Sequence, residues 1–226
     1  MKIKIIIADD HPLFRTALSQ TIKDYFQDSG LDIDVLESED MATTHALLDS
    51  NKDTSLIMLD LHMPDAQGFS GLVNLKGCYP DVPLVMISGS DASHITDRAL
   101  TLGAAGFISK SAASDTIGEA IAALLKGEKW FPKTAATIGT SKQDLALADI
   151  VNKVASLTPH QFRVFTMVNE GLLNKQIAYE LGISEATVKS HIKMIFKKMD
   201  VRKRTEIIIL ANALQVDSPG SSIHST

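Results

Sequence analysis

Five polar side chains, each directly after an apolar run, could perform phosphoryl chemistry in the first half of the chain. Asp9 and Asp10 follow the first run, Asp60 the third, Ser88 the fourth and Lys110 the fifth. Carboxylates gathered in one pocket repel one another, and Mg²⁺, which prefers oxygen ligands, relieves that repulsion. An aspartate can attack phosphorus to form an acyl phosphate, while an ammonium and a hydroxyl bind the phosphoryl oxygens. The set predicts such a site at Asp60.

These residues must be positioned by the elements that precede them. Short apolar runs typical of strands buried in a parallel sheet cover residues 2–8, 33–36, 55–59, 84–87 and 105–108. Helical patterns alternate with them, at about 12–27, 41–50, 69–77, 93–102 and 113–126. The alternation predicts a doubly wound α/β domain, a flavodoxin-like five-stranded parallel sheet. Because such folds bind ligands at the carboxyl ends of their strands, the five polar residues are expected in one pocket.

Taken singly, each of these residues has a simpler interpretation. Asp and Ser are common at strand ends and helix N-caps, so Ser88 by itself indicates nothing about chemistry. His11, beside the two aspartates, is interpreted as a helix-start residue before Pro12. The functional interpretation depends on all five residues falling at the correct strand ends.

The second half contains only helical patterns, at about residues 159–170, 175–181, 185–199 and 205–214. Thr158 begins the first helix with a capping box, Asn174 is the predicted cap of the second, and Ser184 that of the third. Gly182 ends the second helix, and two short helices joined by such a turn have the form of a helix-turn-helix. The isoleucine-rich last helix fits equally a dimer surface or the core of this unit.

The third of these helices carries a stripe of positive charge. Lys189, Lys193 and Lys197 are four residues apart, with Thr187 and Ser190 nearby. Lysines beside small polar groups can meet phosphates and base edges in a major groove. The alternative is a solvated helix face, and the preceding turn is what favours DNA.

Charge is unevenly divided along the chain. Residues 1–132 carry 10 lysines and arginines against 19 aspartates and glutamates, a net charge of -9. Residues 154–216 carry 9 against 5, a net charge of +4. An acidic half joined to a basic half indicates that only the second half contacts a polyanion, although chance variation in surface charge would look the same.

The same features suggest how the chain is divided and where it works. We predict a domain over 1–132, a linker over 133–153, a helix-turn-helix domain over 154–215 and a disordered tail over 216–226. No apolar run approaches the ~20 residues that cross a bilayer. The N-terminus lacks a signal-peptide pattern, and the single cysteine permits no internal disulfide. We therefore expect a cytoplasmic protein without a membrane partner.

The first half resembles the receiver domain of two-component response regulators over about residues 1–128. The stretches that carry the resemblance are Ala8-Asp9-Asp10-His11-Pro12, residues 59–65 with Gly68, Ser88, and residues 103–111. By this resemblance Asp60 is the phosphoacceptor. The resemblance also implies that Asp9, Asp10, Asp60 and the backbone carbonyl of His62 hold Mg²⁺. It implies that Ser88 and Lys110 contact the phosphoryl oxygens and that Phe107 is the switch aromatic.

The second half resembles the LuxR-type helix-turn-helix over about residues 155–213. The stretches that carry this resemblance are residues 157–159, 174–178, 181–184, 187–191 and 198–201. It places Lys189, Ser190 and Lys193 at the DNA face, and we add Lys175, Thr187 and Lys197. Gln161 departs from the usual glutamate but can still cap the helix.

Together the two halves resemble the NarL/FixJ family of response regulators. The resemblance implies a histidine kinase as phosphoryl donor, double-stranded DNA as target and a homodimer once Asp60 is phosphorylated. One rival is a phosphatase-like enzyme that turns over at Asp60. Against it, His62 stands where a second catalytic aspartate would be. Another rival is a DNA-binding protein whose receiver is only a scaffold.

Overall fold

The computed structural model describes residues 2–63, 66, 68–90, 93–132, 149–150, 153–154 and 156–214. They form two compact units, an α/β unit and a helical unit, which are described separately. Most of the predicted linker and the whole predicted tail lie outside the described residues, so the predicted domain boundaries stay predictions.

A five-stranded sheet with the order β2-β1-β3-β4-β5 forms the centre of the α/β unit, and every neighbouring pair is parallel. The strands are β1 (Lys2–Ala8), β2 (Asp32–Ser38), β3 (Thr54–Asp60), β4 (Leu84–Ser88) and β5 (Gly106–Ser109). The predicted fold class is confirmed. Strand β1 has its predicted bounds. The ends of the other strands differ from prediction by at most two residues, because apolar patterning locates the buried middle of a strand better than its hydrogen-bonded ends.

Five helices alternate with the strands, as the sequence predicts. They are α1 (Pro12–Phe26), α2 (Met41–Ser50), α3 (Ser70–Cys78), α4 (Ser93–Thr101) and α5 (Ser114–Leu125). Strand β1 is apolar on both faces because its isoleucines pack on both sides of the sheet: Ile5, Ile6 and Ile7 are fully buried. Such burial fixes the sheet and therefore the positions at which its strands end.

The chain returns to the sheet after α5, which the apolar pattern of the sequence does not predict. Trp130 pairs in parallel with Gly106 at the edge of β5. The Phe107 N–H donates to the Trp130 carbonyl at 2.8 Å, and the Trp130 N–H donates to the Ala105 carbonyl at 3.1 Å. The two hydrogen bonds extend the sheet edge beyond β5.

The helical unit consists of α6 (Pro159–Asn169), α7 (Asn174–Leu181), α8 (Glu185–Met199) and α9 (Arg204–Leu214). Thr158 and Gln161 form the predicted capping box of α6, and Ser184 caps α8. Gly182 ends α7 with a φ of 62°, a left-handed conformation that glycine adopts without steric cost. The predicted helix-turn-helix is therefore present over α7 and α8.

Asn174 is not the cap of α7. The helix begins at Asn174, and Leu173 is the N-cap residue, its backbone N–H donating to Gln176 Oε1 at 2.7 Å. Asn174 Oδ1 instead accepts a hydrogen bond from Arg204 at the start of α9. The side chain that the sequence predicts as a helix cap therefore accepts its hydrogen bond from an arginine that is distant in sequence.

Candidate functional site

The ends of β1, β3 and β5 bring two carboxylates and an ammonium into contact. Lys110 Nζ lies 2.7 Å from Asp9 Oδ2 and 3.0 Å from Asp60 Oδ2. Asp9 is fully buried and Asp60 is 2% exposed. Residues about 100 positions apart in sequence meet here because parallel strands end at one edge of the sheet.

One lysine does not satisfy both carboxylates. Lys110 is close enough to pair with each, but Asp9 Oδ2 and both carboxylate oxygens of Asp60 have no hydrogen bond with acceptable geometry within the described part of the chain. Buried carboxylate oxygens without hydrogen bonds are costly, and a bound cation would satisfy them. The residues present therefore fit a hard divalent cation.

Burial lowers the pKa of Lys110, but its interactions with Asp9 and Asp60 outweigh that effect, and the net pKa is raised. Lys110 is accordingly charged at neutral pH. With one positive charge against two buried carboxylates, the pocket keeps an attraction for a further cation.

Asp10 lies at the mouth of the same pocket. Its side chain is 36% exposed, and its Oδ1 lies 2.5 Å from His11 Nδ1. The His11 backbone N–H donates to Asp9 Oδ1 at 2.8 Å, which fixes one oxygen of that carboxylate. Asp9, Asp10, His11 and Asp60 each offer one ligand atom, and these atoms all lie within 4.8 Å of one another.

Ser88 and Phe107 are buried on the neighbouring strands, β4 and β5. The Ser88 hydroxyl accepts a hydrogen bond from the Ser90 N–H at 3.1 Å, and the Ser88 carbonyl accepts one from the Lys110 N–H at 2.7 Å. The ends of the two strands are thus tied together. The roles of Ser88 and Phe107, and that of the exposed His62, stay predictions.

The predicted DNA face lies on the solvent side of the helix-turn-helix. Its residues are all exposed: Lys175 on α7, and Thr187, Lys189, Ser190, Lys193 and Lys197 on α8. The opposite side of α8 is buried through Val188, Ile195 and Met199. The Thr187 hydroxyl lies 2.8 Å from the Ser184 hydroxyl, so it takes part in the cap of α8 as well.

Two family models match the chain. The response regulator receiver domain matches residues 5–122, and the luxR family of bacterial regulatory proteins matches residues 155–211. The chain is 37% identical to the glycerol metabolism activator of Pseudomonas putida over 92% of this chain and 94% of the relative. It is 32% identical to the nitrate/nitrite response regulator protein NarP of Escherichia coli over 92% of this chain and 93% of the relative.

This chain belongs to the NarL/FixJ family of response regulators.

Solved response regulators share the fold. RcsB of Salmonella typhimurium is 23% identical, with a TM-score of 0.53 over 93% of this chain and 98% of that one. The chain of an RcsB–DNA complex is 24% identical, with a TM-score of 0.51 over 94% and 99%.

As a member of this family, the response regulator is a DNA-binding transcriptional regulator of a two-component system. The family matches confirm the predicted partners, a histidine kinase for the receiver and DNA for the LuxR-type unit. Among the helices that the structure describes, none is long and apolar enough to cross a membrane.

Two arginines that the sequence motifs do not single out brace these response-regulator sites. Arg15 on α1 donates to the Asp9 carbonyl at 2.5 Å, with its Nε 3.5 Å from Glu37 Oε2. Arg204 donates to the Leu172 carbonyl and to Asn174 Oδ1, holding the start of α7. The position of Arg15, six residues after Asp9 on the helix that follows it, could have indicated the first contact. No local pattern indicates the second.

The isoleucine run of α9 serves the core at one position and is exposed at another. Ile207 is fully buried, whereas Ile209 is 67% exposed. Of the two uses that the sequence left open, the core is therefore realised at Ile207. The exposed Ile209 leaves a dimer surface as a proposal.

Proposed function

We propose that Asp60 accepts a phosphoryl group from a histidine kinase, and that the resulting acyl phosphate switches dimerisation and DNA binding. The observation that carries this proposal is the buried Asp60 carboxylate, whose oxygens lie beside Lys110 without a hydrogen bond to any described residue. A carboxylate oxygen of Asp60 attacks phosphorus, the phosphorus–nitrogen bond of the phosphohistidine breaks, and its electron pair stays on the imidazole.

The neighbouring residues prepare Asp60 for that attack. We propose Asp9, Asp10, Asp60 and the His62 backbone carbonyl as the residues that hold Mg²⁺. When bound, Mg²⁺ supplies charge neutralisation for the entering phosphoryl group. The Lys110 ammonium then binds a phosphoryl oxygen, and the Ser88 hydroxyl binds another once it leaves Ser90.

The strands that end at the pocket transmit the conformational change that phosphorylation causes. We propose that the movement of Ser88 frees Phe107 to change rotamer and alters the surface around α4 and β5. The effect on the protein is dimerisation, or release of the basic unit to bind DNA through Lys175, Thr187, Lys189, Ser190, Lys193 and Lys197. Dimers should prefer half-sites about one helical turn apart.

The remaining expectations complete the proposed function. The receiver occupies residues 1–132 and the DNA-binding domain residues 154–215, and the protein works in the cytoplasm. Asp60 is phosphorylated once per signal and is not the nucleophile of an enzyme that turns over many substrates. His62, two residues after it, offers no second carboxylate for acid–base catalysis.

DNA footprinting with and without beryllofluoride and Mg²⁺ tests this proposal, because beryllofluoride forms a phosphoryl-like adduct on an aspartate. We expect the analogue to raise DNA affinity and the dimer fraction together, and Asp60→Ala to abolish both responses. Asp28→Ala, at an exposed turn, is the matched control and should respond like wild type. If wild type does not respond either, the receiver is a scaffold and the switch is wrong.

A further inference from the structure

The imidazole of His11 lies against the acidic pocket, although the proposed site gives it no role. Its Nδ1 is 2.5 Å from Asp10 Oδ1 and 3.3 Å from Asp9 Oδ1. The possible ligand atoms of Asp9, Asp10, His11 and Asp60 lie within 4.8 Å of one another. One cation could contact all four residues after small adjustments of their side chains.

The start of α1 does not explain this ring. His11 is the N-cap residue, but its side chain makes no capping hydrogen bond. Its helix-start contacts are both made by the backbone: the N–H donates to Asp9 Oδ1, and the carbonyl accepts from the Arg15 N–H at 3.0 Å. Any residue except proline would supply these groups. With its side chain 65% exposed, the ring is not part of the core either.

The pocket independently indicates a ligand. Asp60 is 2% exposed, and its Oδ1 has no hydrogen bond among the residues that the structure describes. A carboxylate oxygen of Asp60 lies within 4.8 Å of a His11 ring nitrogen. Lys110 supplies one positive charge to Asp9 and Asp60, leaving the buried pair with an excess of negative charge. A further cation satisfies both the charge and the unbonded oxygens.

We propose that His11 Nδ1 is a ligand of the cation held by Asp9, Asp10 and Asp60. An imidazole nitrogen suits first-row transition cations better than Mg²⁺, which prefers oxygen ligands and keeps its waters. His11 therefore biases this site toward Mn²⁺. The inference rests on the proposed function in taking the acidic pocket as the metal site, and it adds the ring that determines which cation binds best.

Pulsed EPR of Mn²⁺ bound to the full-length protein tests the contact directly. At a pH of about 8, where free imidazole is neutral, we expect a ¹⁴N coupling from a histidine ring. Labelling only the histidines with ¹⁵N should change its pattern. His11→Ala should abolish the coupling. His160→Ala, which removes an exposed histidine of the helical unit, should retain it.

Competition between cations tests the consequence. We expect His11→Ala to weaken Mn²⁺ binding about tenfold and Mg²⁺ binding less than about threefold, because only the transition cation gains from the nitrogen. His11→Gln restores length and polarity without an imidazole and should behave like alanine. Circular dichroism confirms that each variant is folded.

Three results would overturn the inference: Mn²⁺ binding without a histidine coupling, a coupling that survives in His11→Ala, or equal losses of Mn²⁺ and Mg²⁺ affinity. Equal losses would mean that His11 only orients Asp10. These results leave the proposed function intact if beryllofluoride still raises DNA affinity. Failure of Asp60→Asn to alter Mn²⁺ binding, together with no response to beryllofluoride, would instead contradict the proposed function itself.

Discussion

Asp60 is a buried charge that the fold neutralises only in part. It shares Lys110 with Asp9, and within the described ranges both of its carboxylate oxygens lack hydrogen bonds. Removing the charge of Asp60 should therefore remove its repulsion with Asp9 and the desolvation cost of burying it in the metal-free protein. We expect Asp60→Asn to raise the free energy of unfolding of the metal-free α/β unit by about 1–3 kcal/mol. Urea unfolding in EDTA, followed by the fluorescence of Trp130, the single tryptophan, measures the change.

Asp28→Asn is the matched control for this experiment, since Asp28 lies at an exposed turn and should leave stability unchanged. Saturating Mg²⁺ should narrow the difference between wild type and Asp60→Asn, because a ligand that binds only the folded state stabilises it. A loss of stability in Asp60→Asn without metal would show that the contact of Asp60 with Lys110 outweighs the repulsion.

At the scale of residues, the sequence predicts side-chain positions best where one geometric rule applies, namely that parallel strands end at one edge of the sheet. Asp9, Asp60 and Lys110 meet because each follows a buried strand of one parallel sheet, and apolar runs reveal those strands. Asn174 was assigned wrongly because capping preference is local, whereas its partner, Arg204, is 30 residues away. Contacts of this kind depend on how helices pack, which a single sequence does not display.

At the scale of elements, the edge of β5 depends on a close backbone approach. A Cβ added to Gly106 would lie 2.8 Å from the Trp130 carbonyl oxygen and 3.2 Å from side-chain atoms of Leu124 and Val85. Something in this packed edge must move to admit a methyl group. We expect Gly106→Ala to cost about 1–3 kcal/mol of stability and to shift Trp130 emission to longer wavelength, as measured by urea unfolding and fluorescence.

Gly89→Ala controls for the extra methyl group, because a Cβ at Gly89 meets no atom of the described residues within 4 Å. It should leave stability and emission close to those of wild type. Wild-type fluorescence in Gly106→Ala would mean that the edge accommodates the methyl group with Trp130 in place. Gly106 could not be singled out beforehand, since its requirement comes from a segment more than 20 residues later.

Helix α8 presents its lysines to solvent, and their spacing predicts how binding should respond to salt. Lys189 and Lys193 are one turn apart and exposed. If each neutralises a DNA phosphate, Lys189→Ala and Lys193→Ala should each reduce the slope of log affinity against log salt by about 0.9. Fluorescence anisotropy with labelled duplex DNA at several salt concentrations gives the slopes.

Lys203→Ala is the matched control, since it removes an exposed lysine of the same unit that lies between α8 and α9. Its slope should equal that of wild type. Equal slopes for Lys189→Ala and wild type would exclude a contact with the DNA backbone at that position.

The sequence predicted helix α8 and its exact bounds because the cap, the apolar stripe and the charges all agree. Lys198 shows the limit of counting charges, because its ammonium is held by the Ser156 carbonyl and by Gln161.

At the scale of the whole molecule, the net charge of each half agrees with the function of the domain that it contains. The acidic half contains the pocket proposed to take a phosphoryl group, and the basic half carries the predicted DNA face. This much followed from the sequence, because charge and patterning are properties of each half separately. The path between the halves did not follow from it, since the pattern weakens over the predicted linker and is only mildly helical from residue 144 onward.

If phosphorylation at Asp60 controls DNA binding, the two ligands must affect each other equally. A coupling free energy of about 1–3 kcal/mol corresponds to a 5–150-fold change in DNA affinity, and linkage requires DNA to change the affinity for the phosphoryl analogue by the same factor. We expect operator DNA to tighten beryllofluoride binding, at fixed Mg²⁺ and protein concentration, by the factor that beryllofluoride tightens DNA binding. Titrations followed by Trp130 fluorescence and by DNA anisotropy measure the two factors.

Lys189→Ala, with weakened DNA contacts, should leave the intrinsic affinity for beryllofluoride unchanged in the absence of DNA. A DNA affinity that still responds to beryllofluoride in Asp60→Ala would show that the analogue acts through some site other than Asp60.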